Sequence, residues 1–234
     1  MEPILSCSGL TKKYGELPAL SELSVNMYSG RLICLAGGSG SGKTTFMRLA
    51  AGLIRPTAGE LTVCGEPIGR ETKELTAFLP DRDMFPPDMT VSEIVKLYYG
   101  FFNDFDVSRA FGMLGEIYAD TGRRFGKYPA GMRSAIRTII VISRRARLFL
   151  LDEPLCSLGN DGALREFIAE KIVECRSEES AVVVSERSLF SRADDLLLLR
   201  CGTPAYYGAA ENYGGNLNDF EVSGNATDIK ADIF

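Results

Sequence analysis

The chain reads as an α/β protein. A mostly parallel sheet is flanked by helices, with an antiparallel β portion near the N-terminal end and a helical stretch in the middle. Three features of the sequence predict this. Short apolar runs separated by turns fill the first 80 residues around a single helical segment. From about Asp81 to Ala146 strand patterns stop and helical spacing dominates. Strand and helix then alternate again from Arg147 onward, as they do where a parallel sheet is covered on both faces.

In chain order, the expected strands are Ile4–Ser8, Leu23–Met27, Arg31–Ala36, Glu60–Cys64 and Thr76–Leu79, each a short apolar run bounded by turn residues. A helix is expected from Lys43 to about Leu53, because Phe46, Leu49, Ala50 and Leu53 recur at a spacing of three to four. Thr90-Val91-Ser92-Glu93 has the form of a capping box and starts a helix near 91–101. Helices near 106–119 and 131–145 follow. The later alternation is Arg147–Leu151, a helix near 161–175, Ala181–Ser185 and Asp195–Arg200. The expected organisation is an α/β core of residues 1–80 and 147–210, a helical subdomain of about 81–146, and an acidic tail of 211–234. The tail carries five acids and one Lys with little periodicity, which leaves the order of its last dozen residues open.

Composition narrows the chemistry. The 234 residues are 45% apolar and 24% charged, which is globular rather than disordered. There is no histidine, so Ser-His, Cys-His and His-metal mechanisms are all excluded. The net charge of −5 argues against a dedicated nucleic-acid binder. Six scattered cysteines without a C-x-x-C pair suggest reduced core thiols of a cytosolic protein. Met1-Glu2-Pro3 has no basic stretch leading into an apolar one, and no apolar run approaches the roughly 18–20 residues of a membrane span. A soluble chain that reaches a membrane only through a partner is therefore expected.

The strongest motif is Gly37-Gly38-Ser39-Gly40-Ser41-Gly42-Lys43-Thr44-Thr45, which fits G-x-x-x-x-G-K-[ST] between an apolar strand and a helix. Glycines let backbone N–H groups turn inward around an anion, and the helix N-terminus adds positive potential. Lys43 supplies a charge for the β and γ phosphates, and Thr44 a hydroxyl for Mg²⁺. A plain flexible Gly/Ser loop would not need Lys-Thr at a strand–helix junction.

A second signal is Leu148-Phe149-Leu150-Leu151-Asp152-Glu153-Pro154, an apolar strand ending in two carboxylates. Asp152 suits the Mg²⁺ shell, and Glu153 suits orienting or deprotonating an attacking water. Alone this is equally a strand ending in a charged turn. The phosphate loop favours the chemical reading, because ligands sit at the carboxyl ends of such strands.

These residues resemble the ATP-binding subunits of ABC transporters over about residues 1–210. The resemblance implies a P-loop NTPase of the ABC ATPase type, binding ATP and Mg²⁺. Tyr14 then stands where the family keeps an aromatic to stack on adenine, and Asp152-Glu153-Pro154 matches its D-E-P. Asp104-Phe105-Asp106 and Gly131-Met132 are similar to the short subunits of export or resistance permeases.

Four positions depart from the family pattern. Pro129-Ala130-Gly131-Met132 aligns with the signature, but Pro129 has neither hydroxyl nor N–H and Ala130 adds a Cβ. Asp81 replaces the Q-loop Gln and remains a Mg²⁺ ligand candidate. Gly159 replaces the D-loop Asp, and Glu186 replaces the switch His with a carboxylate that repels phosphate. Arg187 beside it offers a replacement cation. In the family two sites form at a head-to-tail dimer interface, so a homodimer or heterodimer containing this chain carries altered groups at both.

The resulting expectation is the ATP-binding subunit of an ABC transporter. It couples MgATP binding and slow hydrolysis to a separate membrane permease, at the cytoplasmic face of the membrane. The alternative is a catalytically weak or inactive ABC-like regulatory module. A soluble ABC ATPase acting on DNA or ribosomes is the third reading and is not favoured, because such proteins usually carry long coiled-coil or paired-domain architecture that this sequence does not show. Two further features have bland accounts. Arg133, Arg137 and Arg144 share a helix face that is expected to be solvated. Phe85-Pro86-Pro87-Asp88-Met89 and Tyr98-Tyr99 form either a permease groove or core packing.

Overall fold

The computed structural model describes residues 2–159 and 161–215. The expectation for the last dozen residues lies outside them. Two sheets are present. The smaller is antiparallel, with strand order β2 (Leu17–Met27), β1 (Leu5–Tyr14), β4 (Ala58–Val63) and β5 (Glu66–Pro67). The larger has the order β10 (Thr203–Ala209), β9 (Asp195–Arg200), β3 (Leu32–Ala36), β8 (Ala181–Val184), β7 (Leu148–Leu151) and β6 (Thr76–Leu79). Every pairing in the larger sheet is parallel except β9 with β10.

The apolar runs of the large sheet are buried on both faces. Leu148, Leu150 and Val183 face a core shared with α1 (Lys43–Ala50) and the antiparallel sheet. Phe149, Leu151, Val182 and Val184 face the opposite core, built with the helices that lie between β6 and β8 in the chain. Period-two alternation between two apolar layers gives a continuous apolar sequence. Between β6 and β7 the chain is helical: α3 (Val91–Phe101), α4 (Val107–Glu116) and α5 (Ala130–Ile142). The sheet then resumes, with α6 (Gly162–Val173) between β7 and β8. Thr90 and Glu93 form the expected capping box at the start of α3.

Several boundaries differ from expectation. Helix α1 ends at Ala50, because Leu53 N–H donates to Arg48 O and Gly52 N–H to Leu49 O, a Schellman closure that leaves Leu53 exposed. Strands β1 and β2 are much longer than their apolar segments. Register shifts between Cys7 and Lys13 break the period-two alternation that would have marked them. The short helix α2 (Arg70–Leu75) and strands β5 and β10 were not anticipated. Only Cys7, Cys34 and Cys175 are buried; Cys64 is half-buried, and Cys156 and Cys201 are exposed. Tyr98 packs among Phe85, Phe102 and Phe105, whereas its neighbour Tyr99 is exposed.

The expected solvated arginine face of α5 is corrected most sharply. Arg137 and Arg144 are both buried, and Arg133 is half-buried. Arg133 and Arg137 converge on Asp83, at 2.8 and 3.4 Å. Arg144 pairs with Asp104 at 3.0 Å, donates to Thr76 O at 2.7 Å and to Glu74 O, and stacks over Phe102. These arginines are clamps between the helical stretch and the strand β6. Replacing Arg144 by Ala strands Asp104 and two backbone carbonyls, so urea unfolding should show a loss of about 3 kcal/mol.

Candidate functional site

Strand register places the chemistry. In the parallel ladder Leu79 is opposite Leu151, Leu151 opposite Val184, and Val184 opposite Cys34. The carboxyl ends of β6, β7 and β8 are therefore level, and β3 runs two residues further, to Ala36. Asp81, Asp152-Glu153, Ser185-Glu186 and the loop 37–42 follow those ends directly.

The loop fits closely into its surroundings. Gly42 has φ +100°, and a Cβ there would lie 2.5 Å from Ala19 O on β2. A Cβ on Gly37 would lie 2.4 Å from Leu199 O. The turn after β9 completes the cradle: Gly202 N–H donates to Ser41 O at 3.2 Å, and Ser21 N–H donates to Gly202 O at 2.8 Å. Lys43 folds across the loop and donates from Nζ to Gly37 O (2.8 Å) and Gly38 O (3.0 Å). Thr44 and Thr45 are half-buried in the first turn of α1, which contains no acid. A helix start without acids keeps its positive end for an anion.

Ser185 joins the two carboxylate positions. Its Oγ donates to Asp152 Oδ1 at 2.7 Å and accepts from Glu153 N–H at 2.8 Å. Asp152 is 1% exposed, and its Oδ2 has no hydrogen-bond partner. A buried carboxylate oxygen without a donor fits a cation. Glu153 has φ +48°, a strained value for a non-glycine residue. Burial and the Asp152 charge raise its pKa, Lys43 opposing. Burial also lowers the pKa of Lys43, with Glu153 and Asp152 opposing.

The resulting cleft has a volume of about 560 Å³ and is lined by Gly37, Gly38, Ser39, Lys43, Glu153, Cys156, Arg165, Ser185, Glu186 and Arg187, among others. Not every predicted residue reaches it. Tyr14 ends β1 and is 42% exposed, with Lys12 over its ring. It lies on the hairpin whose Ala19 abuts Gly42, outside the cleft lining. Asp81 is exposed beyond β6, and its charge is felt by Glu153. Pro129 caps α5 without a side-chain hydrogen bond, and Ala130 to Met132 form its first turn. There Gly131 packs on the turn Cys156–Leu158, and these residues are not among those lining the cleft. Gly159 has φ +64° and ψ −145°, a conformation essentially restricted to glycine. Glu186 caps the turn Arg187–Arg192 through Ser188.

Two residues of the site were missed from sequence. Ser185 had a usable signal, being the polar residue that ends an apolar strand. Arg165 had none, because it comes from the first turn of a helix with weak amphipathic character.

A P-loop preceding a helix, with carboxylates on adjacent parallel strand ends, defines an α/β P-loop nucleotide-binding cassette. The ABC transporter family model matches residues 20–156, more than half of the chain, and the protein belongs to that family. It is 28% identical over 219 residues to the "Probable multidrug ABC transporter ATP-binding protein YbhF" of Escherichia coli (strain K12), covering 88% of this chain and 38% of the relative. It is also 28% identical over 204 residues to the "Uncharacterized ABC transporter ATP-binding protein YdbJ" of Bacillus subtilis (strain 168), covering 83% and 64%. The chain thus spans well under half the length of the first of these. Among solved structures, an ATP-binding subunit of an ABC transporter superposes with TM-score 0.80 at 19% identity, covering 88% of this chain and 90% of that one. A dimeric ATP-binding cassette bound to ADP and Pi gives TM-score 0.77 at 20% identity, covering 88% and 98%. The fold is that of the ABC ATPase cassettes.

The raised pKa of Glu153 has a consequence for stability. The folded state holds this proton more tightly than the unfolded chain, so stability falls as pH rises from the unfolded carboxylate value of about 4.3 through the folded one. Glu153→Gln should therefore unfold at a higher temperature than the wild type at pH 8. The difference should shrink to nothing below about pH 4. Thermal melts at both pH values check this.

Proposed function

We propose that this chain is the ATP-binding subunit of an ABC transporter, coupling MgATP binding and slow hydrolysis to a separate membrane permease. The observation that carries the reading is the alignment of the loop 37–45 with Asp152, Glu153 and Ser185 at neighbouring strand ends.

In this reading the loop amides and Lys43 hold the phosphates, while Tyr14 stacks on adenine. Thr44, Asp152 and Asp81 hold Mg²⁺. When bound, Mg²⁺ neutralises phosphate charge and polarises phosphoryl oxygens. Lys43 needs only to exchange two loop carbonyls for phosphate oxygens. Glu153 orients the attacking water, and its raised pKa makes it a better proton acceptor than an ordinary carboxylate. Ser185 keeps Asp152 and the Glu153 backbone in register.

ATP closes a homodimer or heterodimer, and release reopens it. The motion passes through residues 80–100, where β6 leads into α3. A cavity of about 210 Å³ between β6, α3 and Arg144 adjoins this path and suits a permease segment. Among the described residues no helix is long and apolar enough to cross a membrane, so membrane attachment at the cytoplasmic face falls to that permease.

Slow hydrolysis follows from the altered positions. Pro129 supplies no donor at the start of α5, and Gly159 has no side chain where the family has an Asp. Losing one preorganised donor of this kind costs on the order of 10²–10³ in rate. The same features favour the second reading, a regulatory module that binds ATP without turnover. Mg²⁺-dependent ATP turnover by the purified chain separates the two. The transporter-subunit reading expects slow turnover that falls at least about tenfold in Glu153→Gln and in Lys43→Ala, with ATP binding lost only in the latter. Binding with turnover equal to that of Glu153→Gln supports the regulatory module. Absence of ATP binding sinks both.

A further inference from the structure

One ion pair in the cleft has no part in the chemistry above. Glu186 follows β8 and is 8% exposed. Its Oε1 accepts from Ser188 Oγ at 2.9 Å and from Ser188 N–H at 3.3 Å, and it lies 3.5 Å from Arg165 Nη2. Arg165 reaches across from α6 and is steadied by donation from Nη1 to Leu155 O at 3.1 Å. Both side chains line the same cleft as Lys43 and Glu153.

The cleft thereby carries two carboxylates, Glu153 and Glu186, at a place suited to a polyanion, and the buried Asp152 is next in sequence to Glu153. Asp152 is held by Ser185 and has an oxygen free for a metal. Glu186 lines the same cleft as Lys43 and Glu153, the residues assigned above to the terminal phosphate, so it stands toward that end of the site. An uncompensated charge there opposes ATP more than ADP, which carries one phosphate fewer. Arg165 is a cation that meets it.

We propose that Arg165 is a positioning residue for ATP. It acts through Glu186, turning that carboxylate into the Ser188 cap and cancelling its charge, so that the cleft accepts a terminal phosphate. The inference rests on the ATP reading and adds to it the residue that makes a carboxylate tolerable beside the terminal phosphate.

The test is equilibrium binding of MgATP and of MgADP to the full chain and its variants, with Lys43→Ala as a control. Arg165→Gln should weaken MgATP binding about tenfold, equivalent to ~1.4 kcal/mol, and leave MgADP within about twofold. Arg165→Lys should recover most of the loss. The double variant Arg165→Gln/Glu186→Gln should bind MgATP like the wild type, because no carboxylate remains to be neutralised. The proposal is overturned if Arg165→Gln binds MgATP normally. It is also overturned if both nucleotides weaken alike, as a general folding defect would cause, or if the double variant stays as weak as the single one, as direct contact of Arg165 with phosphate would cause. Wild-type protein that binds neither nucleotide would instead remove the ATP reading itself, and this proposal with it.

Discussion

The backbone hydrogen bonding of β6, β7, β8 and β3 is the constraint on which the site depends. A parallel ladder fixes which residues stand opposite one another, and here Leu79, Leu151, Val184 and Cys34 share one level. Because the strands are buried on both faces, a slip by one residue would exchange the two apolar layers and is strongly opposed. That same resistance to slippage lets side chains from distant parts of the sequence meet within hydrogen-bond distance. Ser185 can bridge Asp152 and Glu153 only because β7 and β8 end together.

Charge is handled by burial with partners rather than by exposure to water. Arg137 and Arg144 are removed from solvent; Arg137 meets Asp83 and the carbonyl of Pro80, and Arg144 meets Asp104 and the carbonyls of Thr76 and Glu74. Such pairs contribute little net stability compared with apolar substitutes, but they are unforgiving of a missing member. They bind α5 to β6 and to the segment leading from it. The cleft uses the same device on a smaller scale in Arg165 and Glu186.

Much of the fold was legible because its signals are local. The G-x-x-x-x-G-K-T run, the capping box at Thr90 and the apolar strands Leu148–Leu151 and Ala181–Val184 each announce themselves within a few residues. The extensions of β1 and β2 were hidden because bulges scramble the alternation on which strand recognition depends. The stripe Arg133, Arg137 and Arg144 was misread because charge spacing says which face residues share, not whether that face meets water or a carboxylate. Arg165 was invisible for a related reason. Its meaning comes from Glu186, on an adjacent element, and only the folded chain brings the two together.

The cradle around the loop is tied off from the far end of the chain. Ser41 is held by Gly202, and Gly37 lies against Leu199, both on strands or turns near residue 200. During synthesis the loop therefore leaves the ribosome long before the groups that shape it. Loop-closure entropy makes such distant contacts late in folding. The anion site is thus among the last parts of the molecule to mature. A nascent or truncated chain ending before β9 would carry the full glycine-lysine motif yet lack the walls that hold it in shape.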